Sequence, residues 1–368
     1  MHKILFLVQL PPPVHGASAV NQSIQQSKLI NTKYSTRFVN ISPAKDLADI
    51  GKSSFSKLLK IIGILFRTLI SFQRFKPDLT YITLSPHGLA FYKDGLIALA
   101  LKSMGAKLVF HLHGKGVVKE ASKSWLNRKI YRLVFNNVHV IHLSETLYSD
   151  LDGVRDPKMS IIAVSNGIND PGVVSPPHES SIITFVYLSN LIRAKGADIL
   201  IRATAMISDE YNSRYQVKII GKQSSVEYAD ELTNLITADL AQRVKIIGPK
   251  YGTEKFHELS TSNIFVLPTK NDCFPLAILE AMATGLAVIS TNEGAIAEIV
   301  DHGVTGDILP ETSAKALAEA MTKHIENQSY SNTCAKKGRE KFLSSYTTQH
   351  FEGKLCTALD ALLTTPNK

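Results

Sequence analysis

SNIFVLPTKNDCFPLAILEAMATGLAVISTN, residues 262–292, decides how the rest of the chain is read. NIFVL and LAVIS are rich in Val, Ile and Phe with little polar alternation, the pattern of parallel strands covered on both faces. Between them Pro275 and Gly285 stand in the Pro-start, Gly-stop order of a helix, which puts Pro275 in the first turn and predicts about three turns. Two acids interrupt this strand, helix and strand: Asp272 just ahead of the apolar run and Glu280 in its middle. A carboxylate so placed is either buried or facing a cleft.

Working outward, the same alternation runs through the whole chain. The first half offers HKILFLV, STRFVNI, DLTYITLS, AKLVFHLHG, VHVIHLS and KMSIIAVSNG as strands; in the second, IITFVYLS, YQVKIIGK and RVKIIGP precede SNIFVLPT and LAVISTN. Each half therefore reads as a doubly wound α/β domain. The stretch NDPGVVSPPHESS, residues 169–181, is rich in Pro and Ser and lacks periodicity, so the linker falls there. The predicted organisation is a Rossmann-like domain over 1–170, a linker over 171–180, a second Rossmann-like domain over 181–345 and a C-terminal helix over 346–368 that packs back on the first domain. Ligands of such sheets bind beyond the carboxyl ends of the strands, so two facing halves would share one cleft.

A chain of 368 residues with 44% hydrophobic content is long enough for two cores and is not disordered. Cys273, Cys334 and Cys356 are scattered, odd in number and free of CxxC spacing, so neither a disulfide framework nor a zinc site is implied and a reducing cytoplasm fits. MHKILFLVQLPPP has too short an apolar run for a signal peptide, and no run of ~18 apolar residues is present to span a bilayer. The net charge of +9 is unevenly placed: residues 1–170 hold 22 Lys/Arg against 10 Asp/Glu, which leaves the remainder at −3. Such asymmetry directs the first half at something anionic, whether nucleic acid, membrane surface or acidic substrate. No zinc finger, RNA-recognition signature or basic helical repeat accompanies it, which argues against nucleic acid.

Candidate residues gather at the predicted strand ends. The first strand runs into QLPPPVHGASAVNQSI, where Gly16 lets the backbone approach a ligand, His15 stands alongside, and a helix starting near Ser18 offers amides to phosphate or another anion. Plain turn geometry is an equal explanation of that glycine. The fourth strand ends in FHLHGKG, with His111 and His113 on one face and Gly114, Lys115 and Gly116 behind. An H-x-H pair suits a metal, but no third ligand is evident, so no metal is expected. Buried, satisfied histidines are the plain alternative; His113, beside Gly114 at the carboxyl end, is placed to touch a sugar hydroxyl or an acceptor. In the second half, FVYLSNLIRAKGADILIRA leaves its strand through Ser189 and Asn190 and reaches Lys195 and Gly196 at the start of the next helix. A lysine and helix amides there would neutralise a diphosphate, with Arg193 able to help, although a solvated lysine reads the same way.

Residues 272–306, DCFPLAILEAMATGLAVISTNEGAIAEIVDHGVTG, resemble the E-x7-E block of the retaining glycosyltransferases of family 4, the group 1 glycosyl transferases of GT-B fold. The shared features are an acid, an apolar helix with a second acid eight residues on, EAMA, a glycine, a short strand, a glycine turn, Glu298 and a closing G-x-x-G. Gly16, His113, the run Ser165 to Gly167, and Lys195 with Gly196 extend the resemblance over most of the chain. It implies that Glu280 binds the ribose hydroxyls of a nucleotide-sugar and that Asp272 lies beside the transferred sugar. Ribose hydroxyls are donors that would let a carboxylate under apolar walls keep its charge; pairing of Glu280 with an internal Lys or Arg is the structural alternative. By the same resemblance Asp272, His113 and Lys195 take catalytic roles. Gly16, Asn190, Arg193, Lys195, Gly221, Phe274, Leu276 and Glu280 line the donor, and His15, His111 and Lys115 stand on the acceptor side. The chain departs from the family in having Asp272 where Glu is usual and Ser189-Asn190 where Gly-Arg is usual, which leaves Arg193 to replace a charge. Pro275 removes one backbone donor, so Phe274 and Leu276 offer the amides.

The implied reaction moves a sugar from an NDP-sugar to a glycan hydroxyl with retention at the anomeric carbon. Charge on the leaving diphosphate is met by Lys195, Arg193, the amides near Gly16 and the helix N-terminus after Pro275, with no metal or other cofactor. The only D-x-D, Asp150 and Asp152, reads as solvated, and residues 243–249 are expected to line the base. SKLLKIIGILFRTLISFQRFK, residues 56–76, carries Lys57, Lys60, Arg67 and Arg74 on one side and apolar residues around the rest. It is either a bilayer-surface helix or a packed helix with a solvated edge. Together with the basic first half it leads to a lipid-linked glycan acceptor at the inner face of the cytoplasmic membrane, as in bacterial surface polysaccharide assembly. The alternatives are a nucleotide-sugar 2-epimerase of the same fold and a non-catalytic nucleotide-sugar-binding relative. A dinucleotide oxidoreductase is disfavoured, since no G-x-G-x-x-G follows a strand.

Overall fold

The computed structural model describes residues 1–12, 15–42, 55–175 and 182–365. The chain forms two compact units, Met1–Asn166 with Thr348–Lys368, and Gly167–Thr347. In the first, β1 (Lys3–Val8), β2 (Ser35–Asn40), β3 (Leu79–Thr83), β4 (Leu108–Leu112), β5 (His139–His142) and β6 (Ile161–Ala163) make an all-parallel sheet ordered β2-β1-β3-β4-β5-β6. β3 and β4 are buried at every residue and β1 at all but Lys3, the result of covering both faces with helices and the reason these runs lack polar alternation. Strand order reverses between β1 and β3, so the switch point lies at their carboxyl ends.

The second unit repeats the plan. β7 (Ile183–Leu188), β8 (Tyr215–Ile220), β9 (Val244–Gly248), β10 (Ile264–Leu267), β11 (Ala287–Thr291) and β12 (Gly306–Leu309) are parallel and ordered β12-β11-β10-β7-β8-β9, with the switch point between β7 and β10. β12 escaped the sequence reading: it is four residues long and contains Asp307. That carboxylate is buried, and burial pushes it up. The His324 ring, 3.1 Å away, and hydrogen bonds from Tyr330 and Lys323 outweigh burial and hold it well below the usual carboxylate range. Gly306 is required by close approach, since a Cβ there would lie 2.1 Å from the Val288 carbonyl oxygen.

Three boundaries differ from prediction. The helix between β10 and β11 is Leu276–Ala283, eight residues, with Pro275 as its N-cap rather than in its first turn. The preceding loop is fastened to the loop after β7: the Lys270 amide and the Thr269 hydroxyl both donate to the Ala194 carbonyl, at 2.8 and 3.1 Å. The helix after β1 is Gly16–Gln26, beginning before Ser18. The third difference is the stretch expected as linker, which is tied into the second unit as far as Ser175. Asp170 accepts two bonds from Arg339 (2.9 and 2.6 Å), and Ser175 donates to the carbonyls of Thr284 and Ser262 (2.8 and 2.9 Å). The remaining residues of that stretch, 176–181, lie outside the described residues. The C-terminal helix Thr348–Thr364 belongs to the first unit, where the Tyr34 hydroxyl donates to the Cys356 carbonyl and to Asp360, at 3.0 and 2.7 Å. All three cysteines are buried thiols outside any disulfide.

Candidate functional site

Beyond the carboxyl ends of β7 and β10 the second unit assembles a charged group on close-packed backbone. Arg193–Lys195 form a single 3-10 turn, and Gly196, at φ +78°, turns the chain into the helix Ala197–Thr204. A Cβ on Gly196 would lie 2.1 Å from the Pro268 carbonyl oxygen, so only glycine lets the two loops meet. Lys195 Nζ consequently reaches Asp272 Oδ2 at 2.5 Å and the Asn271 carbonyl at 3.2 Å. Asp272 Oδ1 accepts from the Cys273 amide at 3.0 Å, which fixes the carboxylate. From the other side Gly294 (φ +59°) backs onto the same loop, its Cβ position only 2.5 Å from the Asp272 carbonyl oxygen. Gly221 serves likewise at the end of β8, against the Ser189 carbonyl.

Glu280 lies on the Leu276–Ala283 helix, and its Oε1 is 2.6 Å from Lys255 Nζ on the helix Gly252–Ser260. Pairing with an internal lysine, the structural alternative, is therefore what the structure shows for this acid. Burial raises the Glu280 carboxyl above its ordinary value, and the Lys255 ammonium opposes that shift without cancelling it. The amides of Leu276 and Ala277 in the first turn of this helix have no partner among the described residues, so positive dipole density is left at its start. Phe274 is buried edge-on against Tyr346.

Two predicted donor residues stand with other partners, and one assignment, that of Asp150, is corrected. Arg193 does not join Lys195: its guanidinium forms a two-point pair with Glu231 and lies over the Tyr228 ring, 5.1 Å from the centroid. Asn190 is exposed, and its carbonyl accepts from the Ile192 amide at 2.9 Å. Asp150 is not solvated but buried, and accepts from the amides of Gly116, Val117 and Val118 at 2.8, 3.1 and 3.4 Å. It caps the short helix Val117–Ala121, whereas Asp152 is exposed.

In the first unit, His15 is the N-cap of the Gly16–Gln26 helix: its Nδ1 accepts from the Ser18 amide at 3.3 Å, and Ser18 Oγ accepts from the His15 amide at 2.9 Å. Gly16 opens that helix and is exposed. Asn21, missed by the sequence reading, is fully buried and bridges the switch point, donating to the Gln9 carbonyl at 3.1 Å and accepting from Thr83 Oγ1 at 2.9 Å. His111 is buried and bonds through Nδ1 to the Tyr81 hydroxyl. Its ring stands 4.0 Å from that of His113, while Lys115 lies part-buried in the loop beyond. His142, also missed, comes alongside because β5 is the neighbour of β4 and His142 pairs with Leu112 in register. His111 Nε2, both ring nitrogens of His113 and His142 Nε2 are buried with no hydrogen-bond partner among the described residues. Burial first, then mutual repulsion, keeps these rings neutral: His113 is pushed down to about 3, His142 by burial to about 4, and His111 well below its usual value. Among the described residues no group of three or more His, Cys, Asp or Glu is placed to hold a metal ion.

A cavity of about 790 Å³ lies far from these groups along the strands, at the amino ends of β4 and β5. Its Lys102 and Lys107 cap helix ends, donating to the carbonyls of Val134 and Leu363 at 2.6 and 3.3 Å, so size alone does not make it the site.

Residues 175–341 match the sequence model of the family described as glycosyl transferases group 1. The amylovoran biosynthesis glycosyltransferase AmsK of Erwinia amylovora is 26% identical over 236 residues, 61% of this chain and 56% of that protein. The chain spans about half the length, or less, of the first curated relatives it matches. A glycosyltransferase structure from Rickettsia africae ESF-5 superposes with a TM-score of 0.77 at 16% identity over 99% of both chains. Anabaena HepE in complex with UDP-glucose does so with a TM-score of 0.73 at 18% identity, covering 98% of this chain and 100% of that one. The protein thus has the two-domain fold of the GT-B glycosyltransferase structures, and the part that holds Lys195, Lys255, Asp272 and Glu280 is the part that carries the group 1 glycosyl transferase pattern.

Proposed function

We propose that this protein is a retaining glycosyltransferase of family 4 that moves a sugar from an NDP-sugar to a hydroxyl of a lipid-linked glycan in surface polysaccharide assembly. The observation that carries the reading is the Lys195–Asp272 pair, set beside the unpartnered first-turn amides at the β7/β10 switch point. In the free protein Asp272 holds the ammonium in place. An arriving diphosphate takes hydrogen bonds from Lys195 and from the Leu276 and Ala277 amides, and Asp272 is released toward the sugar. Negative charge growing on the leaving diphosphate is stabilised by the same donors, so this reading calls for no metal. Glu280 offers its second carboxylate oxygen to the ribose, and neutral His113 offers a ring nitrogen to a sugar or acceptor hydroxyl. The polysaccharide setting rests on the amylovoran-biosynthesis relative, and the nucleotide-sugar on the UDP-glucose held by HepE.

The test is a panel of UDP-, GDP- and ADP-sugars, screened for thermal stabilisation and then for transfer to lipid-linked glycan extracts with EDTA present. Stabilisation by one donor, transfer with the anomeric configuration kept, and loss of both in Lys195→Met are expected. Absence of binding by every nucleotide-sugar overturns the proposal. Because Arg193 is engaged by Glu231, Lys195 is left as the lone cation of its turn, and this favours one second reading, a binder without turnover. Tight binding with neither transfer nor hydrolysis would select it.

A further inference from the structure

The helices Phe55–Phe75, Gly88–Ser103 and Trp125–Phe135 cover the first sheet together, burying Ile64, Phe91 and Tyr131 in one core. Their outer sides are unusual for a soluble layer. On the first helix Leu59, Ile62, Phe66 and Ile70 recur every three or four residues, so they form one row, and that row is exposed; Phe66 is 61% exposed. On the second, Leu89, Tyr92 and Leu96 make a parallel row, with Leu89 69% exposed. At the head of the third stands Trp125, 76% exposed and the only tryptophan of the chain. Scattered exposed apolar residues need no explanation, but rows of them on adjoining helices do.

Charge decides what covers them. Lys60, Arg67 and Arg74 repeat every seven residues beside the first row, and Arg128, Lys129 and Arg132 are exposed on the third helix. Residues 55–75 and 125–135 contain no Asp or Glu, and the one acid of the second helix, Asp94, is buried against Lys93. A second copy meeting this face about a twofold axis would set like charges against each other. No described helix is long and apolar enough to cross a membrane.

We propose that this three-helix face is the protein's seat on an anionic lipid bilayer, with the apolar rows entering the headgroup boundary and the basic residues meeting lipid phosphates. The inference gives residues to the membrane contact of the reading above and rests on that reading for its biological setting; its physical test is independent of sugar transfer.

The test uses the full chain with vesicles of phosphatidylcholine, with and without phosphatidylglycerol. Expected are co-sedimentation with the anionic vesicles that falls as salt rises, and a blue shift of Trp125 emission quenched by brominated lipid. Phe66→Ser combined with Leu89→Ser should weaken binding more than about tenfold, and Arg67→Gln by roughly fivefold. Lys336→Gln in the second unit should change nothing. Unchanged melting temperature shows that the variants are folded. Equal sedimentation with neutral and anionic vesicles, wild-type binding by the double variant, or a concentration-dependent dimer abolished by the same substitutions would each overturn the proposal. Vesicle binding by a chain that binds no nucleotide-sugar would leave this face standing and remove the transferase reading instead.

Discussion

Replacing Lys255 by Met leaves Glu280 buried without its counter-charge. Removing one partner of a buried ion pair costs about 3–5 kcal/mol. Here the Lys255 and Glu280 side chains keep 20% and 16% exposure, so water recovers part of the charge and about 2–3 kcal/mol is expected at neutral pH. At about 2–4 °C per kcal/mol for a unit of this size, the melting temperature should fall by about 4–12 °C. The pH dependence identifies the cause. Burial already raises the folded-state value of Glu280 above the unfolded one, and loss of the lysine raises it further. The folded state then gains a proton as pH falls through that value, and the variant's deficit shrinks toward acid. A simple packing loss would not change with pH. Thermal unfolding followed by circular dichroism from pH 8 downward, on Lys255→Met, Glu280→Gln and the double variant, separates the two. The double variant should be nearly as stable as Glu280→Gln, whose lysine can turn to water. Deficits that add in the double variant, or that stay constant with pH, would refute the argument.

Gly196→Ala and Gly294→Ala each force a Cβ into backbone at a positive φ, 2.1 Å from the Pro268 oxygen and 2.5 Å from the Asp272 oxygen respectively. Each should cost more than Gly303→Ala, a positive-φ site in open space where only the backbone penalty of about 1–2 kcal/mol applies, and each should lose donor affinity in the thermal-shift screen. The histidine cluster should make the first unit acid-labile. Folded values of about 3 for His113 and about 4 for His142 lie below the unfolded 6.5, so their contribution is complete above about pH 6.5 and is lost as pH falls toward the folded values. The loss is about 1.4 kcal/mol per pH unit per ring, and urea unfolding at two pH values should show the slope reduced in His142→Gln. Asp150→Ala removes the cap of Val117–Ala121 and should cost about 1–2 kcal/mol without changing nucleotide-sugar affinity; lost affinity would mean that Asp150 does more than cap.

How much of this was legible in the chain depends on the range of each interaction. Eleven of the twelve described strands could be read from their apolar runs, which are unbroken in covered strands such as β3, β4 and β7 and weaker in the partly exposed edge strands β2, β6 and β9; β12 could not, because its Asp307 meets Lys323, His324 and Tyr330 only on helices that follow it. His142 was within reach: a histidine ends VHVIHLS just as two end FHLHG, and consecutive strands of a parallel sheet are commonly neighbours, so the two ends meet. The ion pairs were out of reach. Glu280 finds Lys255 across 25 positions, Asp150 finds its amides across more than 30, and Arg193 is drawn from Lys195, two residues away, to Glu231, 38 positions on. Periodicity says which residues share a face, but a long side chain chooses among several partners only after the helices have packed. The choice also bears on the proposed chemistry, since Arg193 held by Glu231 leaves Lys195 as the only side-chain cation of its turn for the proposed diphosphate. Glu231→Gln is therefore the sharper probe of the missing second cation. If it strengthens donor binding, the freed Arg193 reaches the phosphates; if binding is unchanged, Lys195 and the first-turn amides are the whole of the anion site.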